Sequence, residues 1–469
     1  MQTECYQESF GFQSVGRREV VGRFDGGAIS SDGGGLLLRQ VDQRLRLLER
    51  FAACFRDHRN AEAIEFTAQE LVTQRVMALA LGYEDLNDHD ELRLDPLLAV
   101  LAGRQDPSGQ DRVREQDRGK ALAGKSTLNR LELSTPEQAG AERYKRIAVE
   151  SEEVDRLLVD VFLEAHAHAP EWITIDLDAT DDPIHGEQEG RFFHGYYRTY
   201  CYLPLYIFCG EHLLGARLRA SNIDAAAGTE AELERIVAQI RQRWPQVKIV
   251  IRADSGFCRE AIMAWCEAHE AIYYVLGLAR NKRLEQALTP ALVEARGLYE
   301  QTQKAARVFH EFGYRTRKTW SRTRRVIGKA EVMALGNNPR FIVTNLPVEQ
   351  QPGQELYEQV YCARGDMENR IKEQQLALFA DRTSTATLRA NQLRLYFSSI
   401  AYTLMLGLRR LGLAGTEMAR AQCHTIRLKL LKIGAQVHVT VRKVWVSFSS
   451  AYPYMPMFAW IYHHLAGAP

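Results

Sequence analysis

Apolar residues recur every three to four positions through the first third of the chain, which is the spacing of an amphipathic helix. One predicted helix follows Thr67, where Glu70 completes a capping box. The segment 125–132 predicts a short helix of the helix-turn-helix kind, and a longer helix is expected over 135–163. Residues 1–168 are therefore predicted to be all-helical.

The period changes from helical to alternating after Pro170. Residues 173–180 alternate apolar and polar side chains, as a half-buried strand does. The apolar runs at 202–210 and 213–221 predict a hairpin, because only two residues separate them. A helix, a β-branched strand at 247–254 and further alternating elements follow. This order predicts a mixed α/β fold, in which helices cover the faces of a partly parallel sheet.

The alternation of helix and strand stops at residue 281. A predicted helix and two strands around a basic turn come before a buried strand at 338–346. The rest of the chain predicts apolar helices and, at 436–449, a terminal strand or hairpin. Five segments result: a helical region at 1–168, a first core part at 169–280, a basic insertion at 281–337, a second core part at 338–385, and a helical C-terminal region ending in a strand pair at 386–469.

The composition of the 469 residues, with 46% hydrophobic and 25% charged, is ordinary for a globular chain. Because the formal net charge is +1, any affinity for nucleic acid must come from local basic patches. Eight cysteines without a CxxC pair argue against structural zinc and favour free thiols in a reducing compartment. The N-terminus lacks a signal pattern and the apolar window 395–408 is too short to span a bilayer, so we expect a cytoplasmic protein without a membrane partner.

Two predicted strands end in a carboxylate. Asp178 lies at the end of the first, Asp254 at the end of the strand 247–254, and Glu368 lies on a predicted helix farther along the chain. A carboxylate at the exit of a buried strand is costly unless it is paired or holds a cation. Three carboxylates on separate elements provide the oxygen ligands that Mg²⁺ prefers. We therefore expect them to converge on a divalent-cation site.

Neighbouring acids leave the assignment at the first strand open. Asp176 lies on the same face of the strand as Asp178, and Asp181 or Asp182 could cap a turn. An isolated aspartate at a strand end is more often a turn residue than a metal ligand. The repeated arrangement at Asp254 favours the ligand interpretation here.

The predicted helix around Glu368 carries a polar stripe. Tyr361, Arg364, Glu368, Lys372 and Gln375 are three or four residues apart, so they lie on one face. Mixed charge at this spacing usually indicates a solvated helix with internal salt bridges. Taken alone, the stripe favours that structural interpretation.

The spacing of Tyr361, Arg364 and Glu368 resembles the signature helix of the DDE insertion-sequence transposases. The signature lysine falls on Gln375, and Lys372 lies one turn earlier. The segments DATDDPIHG, FHGYYRTYCYLPLY and LALGYEDLNDHDELRLDPLL are similar to the IS-thirteen-eighty family within the IS4-like superfamily. The resemblance covers nearly the whole chain.

This resemblance implies a ribonuclease-H-like catalytic core in which Asp178, Asp254 and Glu368 form the catalytic, metal-binding triad. It implies Mg²⁺ as the cofactor, with Mn²⁺ as a possible substitute. The expected partners are double-stranded DNA, as inverted repeats and as target, and a second copy of the chain in a synaptic complex. The helical region 1–168 is expected either to recognise the inverted repeat or only to support the core.

A basic stretch between the second acid and the glutamate holds seven positive charges in fifteen residues, with no acid and with Trp320 at its centre. Such a cluster suits phosphate contact, and an indole can stack on an unpaired base. In some members of the resembling superfamily, a tryptophan in this insertion holds a flipped base. The alternative is a solubilising hairpin tip with Trp320 packed into the strand. The cations are Arg315, Arg317, Lys318, Arg322, Arg324, Arg325 and Lys329.

The sequence thus predicts a DNA transposase that cuts inverted-repeat ends and transfers strands into a target, with Tyr361, Arg364 and Lys372 among its DNA contacts. Two other classes of function stay open. One is a catalytically inactive relative that only binds DNA. The other is a metal-dependent nuclease without strand transfer.

Overall fold

The first predicted acid strand lies inside a nine-stranded mixed sheet. The computed structural model of the chain describes residues 9–467, so the predictions made for residues 1–8 lie outside the described residues. The described chain divides into two compact units. The unit that holds all three predicted acids, here called the sheet unit, consists of Ser151–Leu376 and Ala380–Ser399. The five predicted segments stay a prediction.

The strands of the large sheet are numbered β1 to β9 in chain order. They are β1 (Trp172–Ala179), β2 (Leu205–Cys209), β3 (His212–Arg217), β4 (Lys248–Ala253), β5 (Ile272–Leu278), β6 (Ala306–Tyr314), β7 (Arg324–Met333), β8 (Gly336–Asn337) and β9 (Arg340–Thr344).

The sheet runs in the order β3-β2-β1-β4-β5-β9-β7-β6, and β8 pairs with β7. Strands β3, β2 and β1 form an antiparallel meander, and β4 and β5 then continue from β1 as parallel neighbours. The remaining pairs, β5–β9, β9–β7 and β7–β6, are antiparallel. This arrangement confirms the predicted mixed α/β fold and the hairpin formed by β2 and β3.

Helices of the sheet unit follow the predicted alternation. They are Ser151–Glu164, Thr229–Arg243, Glu260–Ala268, Lys282–Thr302, the short turn Gly353–Glu355 and Gly365–Leu378, with Leu388–Gly407 beginning in this unit. Apolar residues of the first four pack with β-strand side chains such as Ile175 and Ile251, both fully buried, in one hydrophobic core. Burial of such residues is the main favourable term in folding.

The basic insertion does not form a module of its own. Its strands β6 and β7 pair with each other, and β7 also pairs with β9, so the insertion extends the central sheet. Val326 and Ala330 on β7 are fully buried in the same core as β1 and β4. The predicted β-containing insertion is therefore continuous with the central sheet, and its bounds at 281–337 stay a prediction.

In the second compact unit, made of the chain up to Glu150 with Ala377–Phe379 and the residues from Ile400 onward, several predicted helices are present. The capping box at Thr67 is confirmed, with Glu70 donating its backbone N–H to the threonine hydroxyl at 3.1 Å. The helices are Gly35–Leu45, Leu47–Ala53, Ala68–Leu81, His89–Leu92, Pro96–Leu101, Lys125–Leu133, Pro136–Ala139, Cys423–Ile426 and Met455–Ala466.

The prediction that residues 1–168 are all-helical was wrong. Five short strands occur in the described part of this region: Ser9–Val15, Arg18–Arg23, Ile29–Ser30, Phe55–Asp57 and Ile147–Val149.

The first two of these strands form a hairpin around Gly16, whose φ of +65° suits the left-handed turn conformation. The predicted helix 135–163 is interrupted after Gly140, because Ile147–Val149 pairs antiparallel with Phe55–Asp57 before the helix that begins at Ser151.

The C-terminal strand pair is present as Ala435–Val439 and Val444–Phe448. It does not end the chain as predicted, because the helix Met455–Ala466 follows and buries Ile461 and Leu465 on one face. Across residues 9–467, no helix has both the length and the apolarity that a bilayer crossing requires.

Candidate active site

Strand β1 places Asp178 on the face opposite its buried apolar residues, as the alternation of the sequence predicts. Ile175 and Leu177 are fully buried in the core, while Asp176 and Asp178 point to the opposite face. The Asp178 side chain is 17% exposed, and its carboxylate accepts a hydrogen bond from the Ala179 N–H at 3.0 Å. Asp178 therefore stands at the end of an inner strand, with one oxygen bonded by the backbone and the other facing Arg364.

The second acid leaves the same edge of the sheet. Because β1 and β4 are parallel and Ala253 pairs with Leu177, Asp178 and Asp254 follow neighbouring positions of adjacent strands. One oxygen of Asp254 accepts the Gly256 N–H at 2.8 Å and caps the turn that follows β4. Asp254 is thus fixed by its own turn, as the turn interpretation expected, while it still faces the neighbouring strand end.

The third acid lies in the first turn of Gly365–Leu378, here called the glutamate helix. Met367, Ile371 and Leu378 are buried and form an apolar stripe along this helix. A π-helical turn, Leu356–Tyr361, and a short 3₁₀ turn precede the helix. Such π turns occur often at functional sites.

The three acids line one cavity of about 520 Å³. Four residues of the polar stripe, Glu368 among them, line the same cavity, and Ser255 and Phe257 from the turn after β4 add to the wall. The other stripe residues on the wall are Arg364, Lys372 and Gln375. His194 ends the short strand Phe192–His194, and Tyr196 and Tyr197 lie in the turn that follows it.

Arg364 balances the charge of two of the acids. Its guanidinium donates to Glu368 at 2.7 Å and lies 3.6 Å from Asp178. Burial raises the pKa of Asp178 to about 7, against the lowering effect of Arg364 and with further raising by Asp254 and Glu368. The three carboxylates therefore interact electrostatically across the cavity.

The donor set has the chemistry of a divalent-cation site, because it offers carboxylate oxygens from three separate elements in one cavity. The acids do not form a complete coordination site. In residues 9–467, no group of three or more histidine, cysteine, aspartate or glutamate side chains is arranged to hold a metal ion. Arg364 contacts both Asp178 and Glu368 and supplies the positive charge between them. The acids are suitable metal ligands and line one cavity, but they are not arranged as a coordination shell.

The other acids near the first strand have different surroundings. Asp176 is buried and pairs with Arg252, whose Nε lies 2.5 Å from one carboxylate oxygen. The cavity wall includes neither Asp181 nor Asp182. Burial raises the pKa of Asp182 well above its ordinary value. Asp178 is therefore the acid of this segment that faces the cavity.

Gln375, which occupies the position of the signature lysine, makes a hydrogen bond within the protein. Gln375 donates its side-chain N–H to the backbone carbonyl of Asp181 at 3.2 Å, which joins the glutamate helix to the loop after β1. Lys372 is exposed and lines the cavity. Lys372 rather than Gln375 thus carries the positive charge on this part of the wall.

Tyr361 lies outside the cavity wall and against β5. A Cβ added at Gly277 would come 2.6 Å from the Tyr361 hydroxyl oxygen and 2.9 Å from the Ser255 nitrogen. Burial raises the pKa of the Tyr361 hydroxyl, and the charge of Asp254 raises it further. Glycine at position 277 therefore gives the tyrosine room beside the turn that carries Asp254.

Sequence reasoning missed the aromatic side of the cavity. Tyr197 donates its hydroxyl to the Ala179 carbonyl at 3.3 Å, and the neighbouring Tyr196 is 83% exposed. His194, the last residue of the short strand Phe192–His194, lines the same wall. The only available signal was that the segment HGYYR follows the first acid closely, since its residues have no periodic pattern.

The basic stretch is not a uniform cationic surface. Trp320 is 5% exposed and packs edge-to-face on Tyr314 with ring centroids 5.6 Å apart. Arg324 is buried and pairs with Glu260 at 2.6 Å and with Glu267 at 2.7 Å. Trp320 thus follows the packed alternative rather than the base-stacking one in this structure.

The other cations of this stretch differ in exposure. Arg325 pairs with Glu311 at 2.8 Å, and the Arg315 guanidinium donates to the Trp320 carbonyl at 3.1 Å. Four of the predicted DNA-binding cations, all exposed and none lining the acid cavity, are Arg315, Arg317, Lys318 and Arg322.

Comparison with known proteins gave three results. No curated protein matched significantly. Among solved structures, a piggyBac transposase synaptic complex with hairpin DNA matched with a TM-score of 0.37 and 10% identity, over 85% of this chain and 80% of that chain. A family model described as transposase DDE domain group 1 matches residues 12–469, and the IS-thirteen-eighty branch stays a prediction. The chain therefore belongs to the transposase DDE domain family of group 1.

Proposed function

We propose that the protein is a DNA transposase that cuts phosphodiester bonds at the inverted-repeat ends of an insertion sequence and joins the freed ends to target DNA. The observation that carries this proposal is the shared cavity of Asp178, Asp254 and Glu368. Family membership supports transposase activity, and the DDE family generally uses divalent metal ions. We propose Mg²⁺ as the ion, with Mn²⁺ as a substitute.

Asp178, Asp254 and Glu368 are the residues that would hold the ion. Arg364, which donates to one oxygen of Glu368, lines the same cavity as Lys372. Arginine donates two parallel hydrogen bonds to phosphate, and lysine adds a point charge. Arg364 and Lys372 are thus the proposed contacts of the scissile phosphate.

In the first proposed step, a water oxygen bonds to phosphorus, the P–O3′ bond breaks, and a 3′-hydroxyl and a 5′-phosphate are released. In the second, the freed 3′-hydroxyl attacks a target phosphodiester, so one P–O bond forms as another breaks. Bound ions would lower the pKa of the attacking hydroxyl and stabilise the departing oxygen. The buried strand ends of β1 and β4 fix the acids while this exchange occurs.

The order β3-β2-β1-β4-β5, antiparallel and then parallel, supports the proposal of a ribonuclease-H-like core. Double-stranded DNA is the proposed substrate, and two copies of the chain are proposed to synapse its ends. The exposed cations Arg315, Arg317, Lys318 and Arg322 are kept as a proposed backbone contact. Trp320, Arg324 and Arg325 are left out of that surface because they are buried or half-buried, whereas Arg322 stays exposed although it lies 3.5 Å from Glu267.

The test uses linear DNA that carries the inverted repeats flanking the coding sequence, a supercoiled target, and Mg²⁺ or Mn²⁺. Wild-type protein is expected to give cleaved ends and joined product. Asp178→Asn, Asp254→Asn and Glu368→Gln are each expected to abolish both while DNA binding persists. Asp224→Asn, an exposed aspartate of the same unit that pairs with Arg259, is the control and should leave both products unchanged.

Each outcome assigns a function. Cleavage without joined product would show a nuclease in place of a transposase. A shifted but intact DNA would show a binding protein that lacks catalysis. Cleavage that survives in all three acid variants would refute the proposed site even if the protein transposes.

A further inference from the structure

Arg252 joins the two strands that carry Asp178 and Asp254 to the turn that leads into the glutamate helix. It lies on β4, two residues before Asp254. Its Nε and Nη2 donate to the two carboxylate oxygens of Asp176 at 2.5 and 2.8 Å, and Asp176 lies two residues before Asp178 on β1. Its Nη1 donates to the backbone carbonyl of Val360, in the π-helical turn that precedes the glutamate helix.

From this geometry we propose that Arg252 is a positioning residue that fixes Asp178, Asp254 and Glu368 relative to one another. The proposal rests on the proposed function of these acids. Arg252 is 9% exposed and does not belong to the cavity wall, so it acts through the segments that it joins and does not touch substrate.

The chemistry of the side chain suits this role. A guanidinium is planar and presents its N–H groups in a fixed fork, so two donors can hold a carboxylate while a third points elsewhere. Arg252 and Asp176 are also opposite each other in the parallel strand pair, so the fork fixes the register of β1 and β4. A lysine would keep the charge but could not hold both carboxylate oxygens and the Val360 carbonyl in one plane.

Stability alone is a poor account of this pair. A buried ion pair often contributes no more than apolar side chains of similar volume, because desolvation offsets the attraction. The contact with Val360 adds a directional polar bond between β4 and the π-helical turn, beside the apolar cluster in which Val250 of β4 packs with Leu356 and Tyr357. The contacts of Arg252 are therefore better explained by a role in positioning the three acids than by a role in stability.

The test compares three variants with the wild type: Arg252→Met, the double variant Asp176→Leu/Arg252→Met, and Arg252→Lys. The single Met variant leaves Asp176 buried without a partner and should lower the melting temperature. The double variant removes both charges, and its melting temperature should return close to that of the wild type. Activity is then compared in proteins of equal stability.

In the double variant, we expect DNA affinity to stay within about twofold of wild type, while cleavage slows by about 100-fold, the loss expected for small misplacement of catalytic groups. Mn²⁺ affinity, measured by calorimetry without DNA, should fall about 10- to 100-fold, as when residues that orient ligands are lost. Arg252→Lys should keep the charge and recover neither value. A purely structural role would predict recovery of both.

Arg324→Met is the matched control, because Arg324 is also buried and doubly ion-paired but bonds only Glu260 and Glu267. It should lower stability and leave Mn²⁺ affinity unchanged below its melting temperature. Wild-type cleavage and Mn²⁺ affinity in the folded double variant would overturn the proposal. If the wild type binds Mn²⁺ but cuts no DNA, the proposed function fails, and the calorimetry still decides the role of Arg252.

Discussion

Replacing Asp178 by asparagine should change how the stability of the metal-free protein depends on pH. The substitution keeps the shape of the side chain and removes the titrating group. Burial and the neighbouring acids raise the pKa of Asp178 from 3.8 to about 7 in the folded chain. Between these two values the folded state binds more protons than the unfolded state, so the stability of the wild type falls as the pH rises.

The size of this effect follows from the pKa difference. About three pKa units at 1.36 kcal/mol each give a loss of about 4 kcal/mol between pH 4 and pH 8. The Asp178 side chain is only 17% exposed, so solvent screening reduces this value modestly. Relative to the wild type, Asp178→Asn should therefore gain up to about 4 kcal/mol over this range, of which about 2.6 kcal/mol falls between pH 5 and pH 8.

The measurement is urea unfolding of both proteins at pH 5, 6, 7 and 8 in EDTA, followed by fluorescence. The difference in unfolding free energy between variant and wild type is the quantity of interest, since it cancels the titration of other groups. Asp224→Asn is the control, because Arg259 lowers the pKa of Asp224, and its contribution is lost only at more acidic pH. Its difference should be flat from pH 5 to 8.

A difference for Asp178→Asn that is also flat within about 1 kcal/mol would refute the reasoning. It would mean that Asp178 ionises normally and that the three acids are not coupled across the cavity. Saturating Mg²⁺ should remove the pH dependence in the wild type, because a bound cation favours the ionised carboxylate.

Three further changes test other parts of the structure. Trp320→Ala should lower the unfolding free energy by about 3–5 kcal/mol in urea titrations, because it leaves a cavity in the core. Below its melting temperature, the variant should still join pre-nicked ends at the wild-type rate. Gly277→Ala should slow cleavage in a gel assay, because its Cβ would lie 2.6 Å from the Tyr361 hydroxyl oxygen, and Tyr361→Phe should partly restore it. Arg317→Ala/Lys318→Ala should reduce the slope of log Kd against log salt by about 1.8 in anisotropy titrations if each cation contacts one phosphate.

These expectations have clear contrary results. If stably folded Trp320→Ala failed to join pre-nicked ends, the result would indicate that the indole contacts DNA directly. Full activity of Gly277→Ala would show that the tyrosine position is unimportant for the acids. An unchanged salt slope would remove the basic turn from the DNA-binding surface.

The elements that carry the acids could be predicted because their signals are local. The alternation of 173–180 depends only on which face of β1 is buried, and the same holds for the β-branched run before Asp254. The capping box at Thr67 is likewise complete within four residues. Where a few neighbouring residues decide the structure, the sequence sufficed.

The misplaced expectations depended on partners far away in the chain. Trp320 looked available for DNA because its own segment has no acid, yet Glu260 and Glu267 reach Arg324 from a helix about sixty residues earlier. The N-terminal hairpin was missed because almost all its residues are exposed, so no apolar period marks it. The aromatic wall of the cavity depends on how the loop after β1 folds back, which no spacing reports.

The π-helical turn Leu356–Tyr361 limits where the chain can tolerate insertions and deletions. This wide turn holds one residue more than an α-helical turn would, and the chain then tightens into a 3₁₀ turn before the glutamate helix. An α-helix advances about 100° per residue, so deleting one residue here would rotate Glu368 by roughly that angle away from Asp178. Single-residue insertions or deletions between Gly353 and Arg364 should therefore be far more damaging than those at the turn of the exposed N-terminal hairpin.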